Sequence, residues 1–211
     1  ACMATASGMS SVFGALAGYL NAGDHVVASK ALFGSCWQIL EYILPRWGIE
    51  STLVDGGDLQ AWEQAMRPTT KAVFLETPSN PLLSLVDIRA VSDLAHNNRA
   101  DCKVIVDNVF ATPLLQHPIS LGADVVVYSG TKHIDGQGRV LGGAILCSQE
   151  YHDEVLMPFM RHTGPSLSPF NAWVLVKGLE TLSLRVERMT ASALRIAQTL
   201  ENHPAIKRVA Y

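Results

Sequence analysis

Ala123-Asp124-Val125-Val126-Val127-Tyr128-Ser129-Gly130-Thr131-Lys132-His133 decides the reading of this chain. Its first half is an apolar, β-branched run of the kind that forms a buried strand. Its second half delivers two hydroxyls and one lysine where that strand ends. Lys103-Val104-Ile105-Val106-Asp107-Asn108 repeats the arrangement, as a second β-branched strand closing on a carboxylate. Open α/β sheets bind their ligands beyond the carboxyl ends of parallel strands. Lys132 and Asp107 therefore fall where such a fold places chemistry.

Strand-like runs alternate with helical patterns outward from these two segments, which predicts a largely parallel sheet with crossover helices. The pattern predicts helices over 7–20, 37–47, 59–66 and 87–97, and strands over 25–28, 50–54, 72–75, 103–107, 124–128 and 143–147. Glu76-Thr77-Pro78-Ser79-Asn80-Pro81 closes one strand, because two prolines forbid continued regular structure. Residues 1–6 are small and apolar and read as the run-up to the first helix. From Pro169 to about Asn202 the pattern is helical and long, interrupted near Gly178, with Arg185 and Arg188 on a polar face. Lys207-Arg208-Val209-Ala210-Tyr211 reads as the start of a strand. The expected organisation is a large domain over 1–168, a connecting helical segment over 169–203, and the beginning of a further domain over 204–211. Both ends read as cut from a longer polypeptide.

Composition narrows the function classes. The 211 residues are 48% hydrophobic and 17% charged, which suits a packed interior and argues against disorder. A net charge of −3 with no basic stripe gives no footprint for nucleic acid. No apolar run approaches the roughly 20 residues that span a bilayer, and no signal-peptide order opens the chain. Cysteines at 2, 36, 102 and 147 are widely spaced, so neither a metal site nor a disulfide framework is expected, and a reducing cytoplasm fits.

Three familiar motifs can be set aside. Gly130-Thr131-Lys132 reverses the order that a Walker A loop requires. Gly136, Gly138 and Gly142 miss the dinucleotide spacing by one residue and follow a loop. Ser129-Gly130-Thr131-Lys132 matches the S-x-x-K of penicillin-binding enzymes, but the S-D-N and K-T-G partners are missing. Taken alone, Lys132 also reads as a surface lysine and Asp107 as the start of a turn. Together they supply a lysine able to form a Schiff base, hydroxyls able to hold a phosphate and an aspartate able to hold a pyridinium proton, the parts a pyridoxal phosphate site needs. Ser7-Gly8-Met9 adds a helix start whose free amides and positive dipole end suit a phosphate, although a plain N-cap at Ser7 explains it equally. Phe33, beside Gly34, reads on its own as a core phenylalanine.

Four colinear motifs carry a resemblance: Thr5-Ala6-Ser7-Gly8-Met9, Glu76-Thr77-Pro78-Ser79-Asn80-Pro81, Asp107-Asn108-Val109-Phe110-Ala111-Thr112-Pro113 and Gly122 through Lys132. They resemble the Cys/Met-metabolism family of pyridoxal phosphate enzymes, and Ser168-Pro169-Phe170-Asn171-Ala172-Trp173 and Lys177-Gly178-Leu179-Glu180-Thr181-Leu182 agree with it. The resemblance implies an α/β, aspartate-aminotransferase-like (fold type I) large domain, a mostly parallel sheet with helices on both faces, and a homotetramer built from close dimers. It implies that Lys132 is the Schiff-base lysine and Asp107 the partner of the pyridine nitrogen. Ser129, Thr131 and the amides of Gly8 and Met9 would hold the phosphate, and Asn80 the phenolic oxygen. Phe33 stands where the family usually has a tyrosine stacked on the ring, which keeps stacking and removes the hydroxyl.

Within the family, His133 to Arg139 followed by Leu141-Gly142-Gly143 looks most like the members that use sulfide to displace succinate from O-succinylhomoserine. The expected substrates are thus an acylated homoserine and sulfide or another thiol. A cystathionine synthase or lyase of the same family, and a non-catalytic pyridoxal phosphate-binding regulatory protein, are the alternatives. The family's Tyr-x-Arg would precede residue 1, and its substrate-carboxylate arginine would follow Tyr211.

Overall fold

The computed structural model describes residues 1–211 and holds seven strands in one sheet, flanked by helices. The strands are β1 (Cys2–Thr5), β2 (His25–Ser29), β3 (Glu50–Val54), β4 (Thr70–Glu76), β5 (Lys103–Asp107), β6 (Val125–Ser129) and β7 (Gly143–Leu146). Their order across the sheet is β1-β7-β6-β5-β4-β2-β3. The five central and far-edge strands β3, β2, β4, β5 and β6 run parallel, and β7 pairs antiparallel with both β6 and β1.

Alternation along the strands assigns each side chain to a face. Val26, Ala28, Ala72, Phe74, Ile105, Val125 and Val127 point to one layer, with Val12, Ala15 and Leu16 of α1 (Gly8–Ala17) and Leu40 and Leu44 of the helical segment that follows α2 (Gly34–Gln38). Val27, Val73, Leu75, Val104, Val106 and Val126 point to the other, covered by Trp62 of α3 (Leu59–Ala65) and Val91 and Ala95 of α4 (Ile88–Asn98). Burial on both faces explains why these strands read as continuous apolar runs rather than alternating ones. Each fully buried large side chain contributes about 1.5–3 kcal/mol. Asp58 and Asp87 cap α3 and α4 by accepting backbone N–H groups through Oδ1.

Three sequence expectations need correction. Residues 2–5 form edge strand β1 rather than the run-up to a helix, because β7 offers them an antiparallel partner, Thr5 opposite Gly143. Residues 207–211 form no strand, and the Tyr211 hydroxyl instead donates to the Thr190 carbonyl at 3.0 Å. The interruption expected near Gly178 is present, between helices Pro169–Leu179 and Leu182–Glu201, but Arg185 on the second does not lie on a free polar face. Between β5 and these two helices lie α5 (Thr112–Leu115), α6 (Gln149–Tyr151) and α7 (Met157–Thr163), so the last two are α8 and α9. No helix is long and apolar enough to cross a membrane.

Candidate active site

The carboxyl ends of β4, β5 and β6 and the start of α1 surround one cavity of about 570 Å³, inside the roughly 300–1,000 Å³ usual for small-molecule sites. All eight residues singled out from the sequence, Gly8, Met9, Phe33, Asn80, Asp107, Ser129, Thr131 and Lys132, line it. Glu76, Phe110, Tyr128, His133 and Leu141 complete much of the wall.

One corner is built by β6 and α1. Ser7 caps α1, its Oγ accepting the Ser10 N–H at 3.1 Å, so that the first amides of the helix, those of Gly8 and Met9, have no partner inside it. A Cβ at Gly8 would lie 2.5 Å from Ser129 Cβ and 2.8 Å from its Oγ. Only glycine lets the helix start reach the strand end, bringing free amides and the Ser129 hydroxyl together. Thr131 Oγ1 accepts the Gly142 N–H at 3.3 Å and makes a long 3.5 Å contact to the Gly142 carbonyl.

The opposite wall carries the carboxylates. Asp107 is buried at the end of β5 and accepts the Val109 N–H at 3.1 Å. Burial first, and then the neighbouring Glu76 carboxylate, push its pKa up to about 7 against that hydrogen bond. Beside it Asn108, fully buried, donates from Nδ2 to the Thr112 and Gln116 carbonyls and the Tyr128 hydroxyl. This network holds Thr112 at a φ of 63°, in the left-handed region that a β-branched residue rarely adopts. Phe33 is 44% exposed at the cavity rim, so its reading as a core residue is corrected: the chain turns there to start α2, which leaves the ring outside the core. Asn80 is exposed on the β4 loop.

Lys132 sits in the turn Gly130–Ile134, where its φ of −90° and ψ of −116° depart from helical geometry. Sequence reasoning missed what anchors this turn. Arg185 of α9 donates from its guanidinium to the carbonyls of His133 at 2.7 Å, Ile134 at 3.1 Å and Gly178 at 2.7 Å. The close approach needs Gly178, whose added Cβ would stand 2.2 Å from the Ile134 oxygen. An arginine near a helix start reads as surface from sequence, and only the fold reveals the carbonyls it meets. Arg185→Met should lower unfolding stability by about 2 kcal/mol in denaturant titrations, and Arg185→Lys should recover little, because a single ammonium cannot span the fork. A stability equal to wild type in Arg185→Met would show the clamp to be idle. His133, the next residue of the turn, is held below the usual histidine pKa by burial and by Arg185, and its ring meets Phe110 edge-on at 6.5 Å.

The donor set fits pyridoxal phosphate. A helix N-terminus with an adjoining hydroxyl suits its phosphate dianion, a buried carboxylate suits a protonated ring nitrogen, and a lysine on the same wall suits its aldehyde.

Comparison with known proteins agrees. The chain is 61% identical over 211 residues to an O-succinylhomoserine sulfhydrylase of Mycobacterium tuberculosis and 48% identical over 209 residues to one of Pseudomonas aeruginosa, covering 100% and 99% of this chain. It is 43% identical to an L-methionine gamma-lyase of Treponema denticola. It spans 52%, 51% and 53% of those proteins, about half of their length. The crystal structure of metB from Corynebacterium glutamicum superposes with a TM-score of 0.94 at 34% identity, over 98% of this chain and 53% of that one. A putative O-acetylhomoserine (thiol)-lyase (metY) of Campylobacter jejuni, solved with N′-pyridoxyl-lysine-5′-monophosphate, superposes at 0.93 with 32% identity, over 100% and 58%. The fold is the aspartate-aminotransferase-like fold type I. The family model for Cys/Met metabolism PLP-dependent enzymes matches residues 1–211 from end to end, and the chain belongs to that family.

Proposed function

We propose that the full-length protein performs γ-replacement on O-succinylhomoserine with sulfide, giving homocysteine, and that the cavity between α1, β5 and β6 is its cofactor site. The observation that carries this reading is the convergence of Lys132, Asp107 and the Gly8–Met9 helix start on one wall system, in a chain 61% identical to a protein named for that activity. Residues 1–168 act as the cofactor-binding domain, 169–203 as the connecting segment and 204–211 as the start of the next domain. The protein works as a homotetramer, in keeping with exposed Phe170, Trp173 and Val176 along α8.

Bound there, pyridoxal phosphate supplies an aldehyde for the substrate amine and a ring that draws electrons from the adjoining carbons. Lys132 Nζ would hold the cofactor's aldehyde and, when free of it, would take the proton at the substrate Cα and carry protons at Cβ. Asp107 keeps the ring nitrogen protonated. Ser129, Thr131 and the amides of Gly8 and Met9 bind the phosphate, and Asn80 orients the phenolic oxygen. Phe33 would offer the ring an aromatic side chain and no hydroxyl for proton transfer.

A lyase reading has a specific support in the methionine gamma-lyase likeness. Sulfide is small and needs neither a carboxylate nor an ammonium partner, so a site serving it can lack the polar groups that cysteine requires, and missing polar contacts discriminate by powers of ten. Specificity constants of the full-length enzyme with O-succinylhomoserine should favour sulfide over cysteine by about tenfold or more. Faster cystathionine than homocysteine formation would replace the sulfhydrylase reading with a synthase, and turnover of methionine or cystathionine alone would replace it with a lyase.

A further inference from the structure

Glu76 ends β4 directly opposite Asp107, its partner in register at the end of β5. Its side chain is 1% exposed and lines the same cavity. One carboxylate oxygen accepts the backbone N–H of Phe33 at 2.7 Å, and the other accepts that of Asn80 at 2.9 Å. A single buried side chain therefore ties down both loops that flank the site. The task needs two acceptors of equal reach, which a glutamine, with one oxygen and one donor group, cannot offer.

The charge is harder to explain by anchoring alone. Neighbouring strands lie about 4.8 Å apart, so two carboxylates at paired strand ends repel each other in a poorly solvated place. The groups facing them are Cys36 from α2, Tyr128 from β6, and Lys132 and His133 across the cavity. No arginine or lysine forms an ion pair with either carboxylate, and the acidic partners in the chain's ion pairs are other residues. Burial raises the pKa of both Glu76 and Asp107. No ion pair relieves the two carboxylates, and Lys132 across the cavity is the group that would hold the cofactor's aldehyde, which leaves a cation on the ligand to relieve them.

We propose that Glu76 is a positioning residue with two duties: it holds the Phe33 and Asn80 loops on either side of the cofactor, and it supplies the second negative charge that selects a protonated ring nitrogen at Asp107. This rests on the reading of the cavity as the pyridoxal phosphate site. The test compares pyridoxal phosphate with its 1-deaza analogue, in which carbon replaces the ring nitrogen, by measuring dissociation constants on the cofactor-stripped full-length enzyme. Wild type should prefer pyridoxal phosphate, and Glu76→Gln should shrink that preference about tenfold, the size of a screened charge interaction across several ångströms. Glu76→Asp, which keeps the charge and loses reach, should weaken both compounds while retaining the preference.

If Glu76→Gln weakens both compounds equally, Glu76 is a loop anchor only and the charge role is overturned. Should Glu76→Gln not fold, Asp107→Asn decides the matter. Glu76 is then the remaining carboxylate and a residual preference should persist; its complete disappearance overturns the proposal. Binding of neither compound to wild type would sink the cofactor-site reading itself, and this inference with it.

Discussion

Lys132→Ala in the full-length enzyme should cut turnover by about four to six orders of magnitude, as removal of the group that does covalent work does elsewhere. The expectation is steep because no other side chain on the cavity wall can take over. The chain has lysines at 30, 71, 103, 132, 177 and 207, and Lys132 alone among them lines the cavity. Lys71, Lys103 and Lys177 are engaged by Asp101, Asp124 and Glu180. Borohydride reduction of the holoenzyme followed by peptide mapping should place the pyridoxyl label on Lys132. A label on a different lysine, or an alanine variant with ordinary turnover, would remove the assignment.

Asp107→Asn should cost about a thousandfold in turnover, the worth of one close charge at the effective dielectric of a protein interior, while phosphate-anchored cofactor is retained. The sign follows from the surroundings of Asp107. Burial and the adjacent Glu76 favour its neutral form, with a pKa of about 7, so the carboxylate is fully ionised at neutral pH only when a cation faces it. A protonated ring nitrogen is that cation, and each of the two charges keeps the other in place. The asparagine variant leaves only the Glu76 carboxylate near the ring nitrogen, and the nitrogen holds its proton far less firmly. Turnover within a fewfold of wild type, with cofactor bound, would contradict the role.

Much of this architecture could be read from the chain before folding. The central strands announced themselves because burial on both faces leaves no reason for polar alternation, so 103–107 and 125–129 stand out as β-branched runs. The wall residues followed, since a sheet of this class gathers its strand ends at one place. What escaped was non-local. β1 is four small, weakly patterned residues whose strand character comes from pairing with β7. Glu76 looks like the polar opening of a proline-rich turn, and nothing in its neighbours signals the Phe33 amide. Arg185 belongs to a helix whose polar residues all look alike until the carbonyls of His133 and Ile134 come within reach. Phe33 was misplaced because an apolar residue near a glycine is more often core than rim.

The pairing of Thr5 with Gly143 has a consequence for assembly order. The first strand closes against the last, so the corner formed by Gly8 and Ser129 cannot exist until nearly the whole domain has been synthesised and its middle strands laid side by side. Such long-range closure is slow, because the entropy of the loop is lost before any contact rewards it. A ligand that bridges this seam binds the finished sheet and not its precursors, and stabilises it by mass action, by an amount that grows with the logarithm of its free concentration above Kd. A cofactor held at this corner, as proposed above, would then act on the population of the closed fold as well as on the chemistry.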